Sequence, residues 1–301
     1  MKPILEIKGL TVRFDSFDKS IYAIDDVDLQ VCEGEFLGVV GSAGSGKSVL
    51  LKSIINLVPN PGFITNGKVL FNGQDLLSMS EEKLRLLRGK EIGLILSDPR
   101  SQMDPLVKIK DLITNVVLSH NNVERKIAYD MALEILRKVE INDPERRMNS
   151  YAHELSIGMA QRVIIGMALI NSPKLILADE PTRSLDVTIQ RQVMDLLATL
   201  VNVSKFTTII VSRDFGIIAN YCHRIAVMCN GKIVEVDYVR TFFKRAQHPV
   251  SLQLLGTTFA AKGQQKIKNK KAFSNFQSDI MNGKLHEVEP GHLVRISSRE
   301  E

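Results

Sequence analysis

GSAGSGKS, residues Gly41–Ser48, governs how the rest of the chain is read, because it fits the spacing G-x-x-x-x-G-K-[ST] of a phosphate-binding loop. A phosphate chain is held by backbone N–H groups converging at a helix start, and a Cβ in the wrong place blocks that approach. Gly41, Gly44 and Gly46 remove the obstacle, and Ser42, Ala43 and Ser45 fill the positions between them. Lys47 is placed to reach the β- and γ-phosphates, and the Ser48 hydroxyl to sit on Mg²⁺. The alternative is a glycine-rich turn joining a strand to a helix. The flanks decide between them.

FLGVV (Phe36–Val40) is a short apolar run that ends directly in the loop, and SVLLKSIINLV (Ser48–Val58) follows with helical apolar spacing. Strand, loop and helix therefore come in the required order. Further short apolar runs, IGLIL (Ile92–Leu96), KLILAD (Lys174–Asp179), TTIIVS (Thr207–Ser212) and RIAVMC (Arg224–Cys229), are separated by helix-like stretches. This alternation predicts an α/β core with a parallel sheet covered by helices. ILEIKGLTVRF (Ile4–Phe14) and AIDDVDLQV (Ala23–Val31) alternate in part, which predicts an antiparallel edge. Between about residues 98 and 168 strand signals give way to helical ones, as in ERKIAYDMALEILRKV (Glu124–Val139), so an inserted helical subdomain is expected. The domain is read as residues 1–258. Residues 259–301 are read as a polar, basic and weakly ordered extension.

No run approaches the roughly 18 apolar residues of a membrane-spanning helix. At the N-terminus, Glu6 and Lys8 interrupt the apolar stretch that a signal peptide would keep, so a cytoplasmic location is expected. Cys32, Cys222 and Cys229 make no C-x-x-C pair and no even set, and are read as small hydrophobes, not as a disulfide framework or a zinc site. The net charge of +5 is concentrated in KGQQKIKNKK (Lys262–Lys271), read as a solvated tail and not as a nucleic-acid or membrane patch.

A second motif strengthens the first. LILADEPT (Leu175–Thr182) delivers Asp179 to a strand end, where it can hold the water shell of a metal, and sets Glu180 beside it to polarise an attacking water. The order GSAGSGKS, LSIGMAQR (Leu155–Arg162), LILADEPT, SLDVT (Ser184–Thr188) and VSRD (Val211–Asp214) resembles the ATP-binding subunits of ABC transporters over about Ile4–Leu255. LDVTIQRQVMDLL with QHPVSLQLL (Gln247–Leu255) is similar to the dipeptide and oligopeptide importer branch.

The resemblance implies a P-loop NTPase (RecA-like) fold and a head-to-tail pair of such domains, each ATP held by one glycine loop and the opposite signature segment. Phe14 matches the aromatic that stacks on adenine, with Tyr22 as a second candidate and core packing as the alternative role for Phe14. Ser156 and Gly158 match the signature positions that touch the opposite γ-phosphate, and Asp186 the acid that couples the two sites. The implied cofactors are ATP and Mg²⁺, the latter on Ser48 and Asp179. The implied partners are two transmembrane permease subunits, a second ATP-binding subunit and, indirectly, an extracytoplasmic peptide-binding protein. No nucleic acid is among them. The chain would be peripheral, on the cytoplasmic face of the membrane.

Three positions depart from the family pattern. Ser97 stands where a glutamine usually senses Mg²⁺; it is too short to span in the same way, and Gln102 is out of register. Arg213 replaces the histidine that holds the γ-phosphate and the attacking water; a permanent cation cannot accept a hydrogen bond, although an arginine near a γ-phosphate can also speed transfer. Ile157 replaces a glycine in the signature, which weakens that half-site without removing it. Misplacing a water-orienting group by about an ångström costs roughly 10²-fold in rate, so slow hydrolysis at this site is expected. No cysteine follows Cys229, so no iron–sulfur cluster of the kind found in relatives after the His248–Pro249 segment is expected.

Three functions stay open. The first is a transporter subunit whose own site binds ATP, hydrolyses it slowly and completes the site of a more regular partner. The others are a non-hydrolytic regulatory subunit and a nucleic-acid or ribosome-associated ATPase.

Overall fold

The computed structural model describes residues 2–15, 19–261 and 283–296. The chain divides into two compact units, Met1–Ser78 with Ile210–Glu301, and Met79–Ile209.

In the first unit β1 (Pro3–Asp15) pairs antiparallel with β2 (Ser20–Cys32) on one side and with β4 (Gly62–Phe71) on the other, and β5 (Gln74–Asp75) extends β4. Expected as an edge, these strands form a sheet of their own, in the order β2-β1-β4-β5. The reason is that both sides of β1 are already hydrogen-bonded. A second ladder runs β11-β12-β10-β9-β3. In it β3 (Phe36–Val40) is buried throughout and runs parallel to β9 (Arg224–Cys229). β10 (Lys232–Tyr238), β12 (His292–Ile296) and β11 (Lys284–Glu289) continue it antiparallel.

Glycine loop and helix follow β3 directly. α1 (Lys47–Ile54) buries Leu50, Leu51 and Ile54 completely, each contributing about 1.5–3 kcal/mol of apolar burial. The helix stops short of the expected Val58, because Asn56 takes a left-handed φ of 52° and Pro59 and Pro61 follow. At the other end of this unit, α8 (Phe215–Tyr221), α9 (Val239–Arg245) and α10 (Pro249–Ala261) are helical.

The hairpin β11/β12 corrects the reading of residues 259–301 as a uniformly weakly ordered extension. Gly291, at φ 77°, makes the turn, and two buried groups fix the strands. His292 Nε2 lies 2.8 Å from the wholly buried Glu235 Oε1. On the strand's other face Arg295 donates from Nε to Ile233 O at 2.9 Å. The basic segment Lys262–Lys271 lies outside the described residues.

The second unit contains the parallel pair β6 (Ile92–Ile95) and β7 (Leu175–Asp179). The stretch expected to be a helical insertion holds α3 (Ile109–Leu118), α4 (Arg125–Lys138), the short α5 (Pro144–Arg147) and α6 (Ile157–Leu169). The unit is wider than that insertion, for it also includes α2 (Glu81–Leu87), β6, β7 and α7 (Val187–Ser204). β8 (Thr207–Val211) carries the chain back into the first unit. Among the described residues no helix is long and apolar enough to cross a membrane.

Candidate functional site

The glycine loop is shaped by what surrounds it in the first unit. A Cβ on Gly41 would lie 2.1 Å from Met228 O, so only glycine lets β3 pass this close to β9. Gly46 caps α1 at φ 102°, and a Cβ there would lie 2.2 Å from Ala23 O. The loop tip, Ser42, Ala43 and Gly44, is exposed, whereas Ser45 and Lys47 are buried. Lys47 Nζ donates to Gly41 O at 2.9 Å, Ser42 O at 2.7 Å and Ser45 Oγ at 3.2 Å. A buried ammonium thus sits in the loop's own curl, beside the N-terminus of α1, where the first-turn N–H groups and the helix dipole favour an anion. Ser48 lies half-buried in that first turn.

Phe14 is half-buried, with its ring against Gly62 of β4, whose Cβ would meet the ring at 2.5 Å. One face of the aromatic is therefore committed to packing. Tyr22 is 50% exposed. Arg213 is exposed after β8, and Asp214 next to it caps α8 by accepting from Gly216 N at 2.7 Å. Two of the three cysteines are buried as expected, Cys222 and Cys229, whereas Cys32 is half-buried; burial, with Glu35 nearby, pushes the Cys222 thiol well above its ordinary range.

The second unit holds the other expected residues. Asp179 ends β7 and is buried. Glu180 follows with a left-handed φ of 43°, a conformation a non-glycine residue adopts at a cost of about 1–3 kcal/mol. The chain then turns at Pro181: Arg183 N donates to Glu180 O at 3.1 Å, and Arg183 Nε lies 3.4 Å from Glu180 Oε2. Asp186 is the N-cap of α7, its Oδ1 accepting from Thr188 N and Ile189 N, both at 3.0 Å.

Ser156 caps α6 in the same manner, accepting from Met159 N at 3.2 Å. Gly158 is required here for space, since a Cβ would lie 2.9 Å from Ile189 Cγ2. Ser156, Gly158, Arg162 and Ile189 line an open groove of about 760 Å³, so the signature segment is accessible. Ile157 is 41% exposed on the first turn. Ser97 is half-buried just after β6. Gln102 folds back, its Nε2 donating to Asp98 O at 2.8 Å.

Two arginines escaped the sequence reading. Arg100 Nη2 donates to Leu155 O at 2.6 Å, tying the loop after Ser97 to the residue before Ser156. Arg183 faces Glu180 as described. The only signal for either was a charge inside an otherwise familiar motif.

Ser48 in the first unit and Asp179 in the second each offer a hard oxygen donor of the kind Mg²⁺ takes beside the waters it keeps.

Residues 24–183 match the family described as ABC transporter. The chain is 40% identical over 267 residues to the oligopeptide transport ATP-binding protein OppD of Bacillus subtilis, covering 88% of this chain and 75% of that protein. It is also 40% identical over 255 residues to the oligopeptide transport ATP-binding protein AmiE of Streptococcus pneumoniae, covering 84% and 72%. Among solved structures it is similar to the ATP-binding cassette MJ0796, a dimer in a post-hydrolysis state bound to ADP and Pi. The TM-score is 0.71 and the identity 28%, covering 78% of this chain and 99% of that one. CbiO1 of Clostridium perfringens shares the fold at a TM-score of 0.69 and 22% identity, over 87% and 100% of the chains.

Proposed function

The chain belongs to the ABC transporter family of ATP-binding subunits, P-loop ATPases, and from that premise we propose that it energises the import of peptides. The observation that carries this reading is the loop Gly41–Ser48, with two glycines enforced by close backbone approach and a buried Lys47 ammonium at a helix start. The relatives' names supply the substrate class.

On this reading the residues divide the work. Backbone N–H groups of the loop and Lys47 bind the triphosphate, and Ser48 and Asp179 hold Mg²⁺, which neutralises charge on the phosphates. Phe14 stacks on adenine with the ring face that Gly62 leaves uncovered. Glu180 takes the proton of the attacking water. Ser156 and Gly158 act in trans on the ATP of a second subunit, and Asp186 links the two sites. The partners are two permeases, at the cytoplasmic face of the membrane, and a second ATP-binding subunit.

Ser97 and Arg213 give this chain's own site slow turnover, so it retains MgATP while its signature segment completes the fast site of a regular partner. Single-turnover hydrolysis in the assembled pair tests this, with the catalytic acid replaced in one subunit at a time. Replacing the partner's acid should abolish rapid turnover while Glu180→Gln leaves most of it. The reverse pattern contradicts the division of labour. A non-hydrolytic regulatory subunit is the second reading, favoured by the same two residues, and it predicts no turnover at this site.

A further inference from the structure

Arg183 holds a place in the Glu180 turn that the proposed chemistry does not use. Glu180 leaves β7 in a left-handed conformation, Pro181 fixes the next φ, and the N–H of Arg183 closes the turn on Glu180 O at 3.1 Å. The turn returns the Arg183 side chain to the carboxylate, Nε 3.4 Å from Oε2. The pair is asymmetric: the Glu180 side chain is 10% exposed and that of Arg183 is 57% exposed. A largely buried carboxylate is thus faced by a permanent cation that reaches it from solvent. Because the backbone fixes both ends of the pair, less entropy opposes it than for two free surface side chains.

We infer that Arg183 is a positioning residue that holds the Glu180 carboxylate in the resting subunit and restrains hydrolysis there. The inference rests on the proposed role of Glu180. In that reaction the water oxygen bonds to the γ-phosphorus, its proton passes to the Glu180 carboxylate, and the bridging oxygen leaves with ADP. The guanidinium faces Oε2 and holds the carboxylate's orientation, so the side chain must turn against that contact to meet the attacking water. The restraint is in cis and adds to the consequences of Ser97 and Arg213. The guanidinium is always charged, so the cation of the pair is never lost by deprotonation. The restraint weakens with ionic strength, because the cation is mostly exposed.

Two measurements test this, the first on the purified full-length chain and the second on the assembled pair. The first is a double-mutant cycle in urea unfolding with Glu180→Gln, Arg183→Thr and the double variant. The pair should appear as a coupling of about 1.5- to 5-fold in the unfolding equilibrium constant, the range of partly exposed ion pairs. The second is single-turnover hydrolysis of γ-labelled MgATP at low and high ionic strength by the assembled pair, with the partner's catalytic acid replaced so that only this chain's site turns over. Arg183→Thr should raise the rate by about 1.5- to 5-fold at low ionic strength. The gain should shrink at high ionic strength, with the ATP concentration for half-maximal rate unchanged. Arg183→Lys, which keeps the charge, should stay near wild type, and Glu180→Gln should suppress the rate with either residue at 183. The inference falls if the cycle shows no coupling. It also falls if Arg183→Thr leaves or lowers the rate, or shifts the ATP dependence as a phosphate contact would. A rate indifferent to Glu180→Gln overturns the role of Glu180 itself, which separates failure of that reading from failure of the restraint.

Discussion

Replacing Asp186 in two ways separates its structural role from its proposed coupling role. Its Oδ1 accepts from Thr188 N and Ile189 N at 3.0 Å, capping the 18-residue helix α7. Loss of such a cap costs about 0.5–2 kcal/mol. Loss of the negative charge at the helix N-terminus adds about 0.3 kcal/mol, the low end of its range because Asp186 is exposed. Asp186→Ala should therefore destabilise by about 1–2 kcal/mol. Asn caps a helix as well as Asp does, so Asp186→Asn should lose only the charge contribution, under about 0.5 kcal/mol. Urea unfolding followed by circular dichroism measures the difference, and hydrogen exchange over residues 187–190 localises it. Turnover in the assembled transporter then reports on the coupling, and Asp186→Asn should slow it although the helix stands. If both variants unfold alike, or if Asp186→Ala is as stable as wild type, the cap does not contribute as the geometry requires. If Asp186→Asn turns over normally, the carboxylate does not couple the sites.

Two further outcomes follow from the first unit. Gly46→Ala should destabilise by about 2 kcal/mol or more and lose ATP affinity, because the new Cβ lies 2.2 Å from Ala23 O at a φ of 102°; an unchanged urea midpoint would refute the close approach. His248 is buried, and desolvation, with Arg295 nearby, pushes its pKa down from 6.5 to about 4. The unfolded chain therefore binds the proton first as pH falls, so stability is lost between about pH 6.5 and 4 and not further below, up to about 3 kcal/mol from this residue. His248→Asn, which keeps an acceptor for Val250 N, should flatten the unfolding midpoint across that window, and a pH slope equal to wild type would refute it.

What the sequence made legible was set by local pattern. β3, β6, β7, β8 and β9 were readable as short apolar runs because both faces of each are covered. The loop Gly41–Ser48 was readable because close backbone approach leaves glycine no substitute. β10 was not readable. Glu235 and Asp237 give it the look of a half-exposed segment, yet both are fully buried. Glu235 is met by His292, 57 residues away, and by the N–H groups of Gln247 and His248. Burial opposes the charge on Asp237, but Arg245, Tyr238 N and Thr241 hold its pKa below the ordinary value. The partners of Asp237 lie within eight residues of it, but those of Glu235 lie 12 to 57 residues away, outside any local window. β4 was hidden by Gly62 and Gly67, which look like turn residues. The first admits the Phe14 ring and the second lets β1 approach, its Cβ position lying 2.5 Å from Leu10 Cα. At the site, the motifs named the positions, while the capping bonds of Ser156 and Asp186 and the hold of Arg183 on Glu180 came from geometry alone.

Nucleotide capture by the loop that ends β3 underlies every role proposed for this chain. Calorimetric titration of the full-length chain with MgATP, beside the Lys47→Ala variant, measures it directly. Wild type should bind, and removal of the ammonium now held by Gly41 O, Ser42 O and Ser45 Oγ should weaken binding by about tenfold or more, the size of a charge-assisted contact to phosphate. No heat of binding with wild type, or equal affinity in the two proteins, would contradict it.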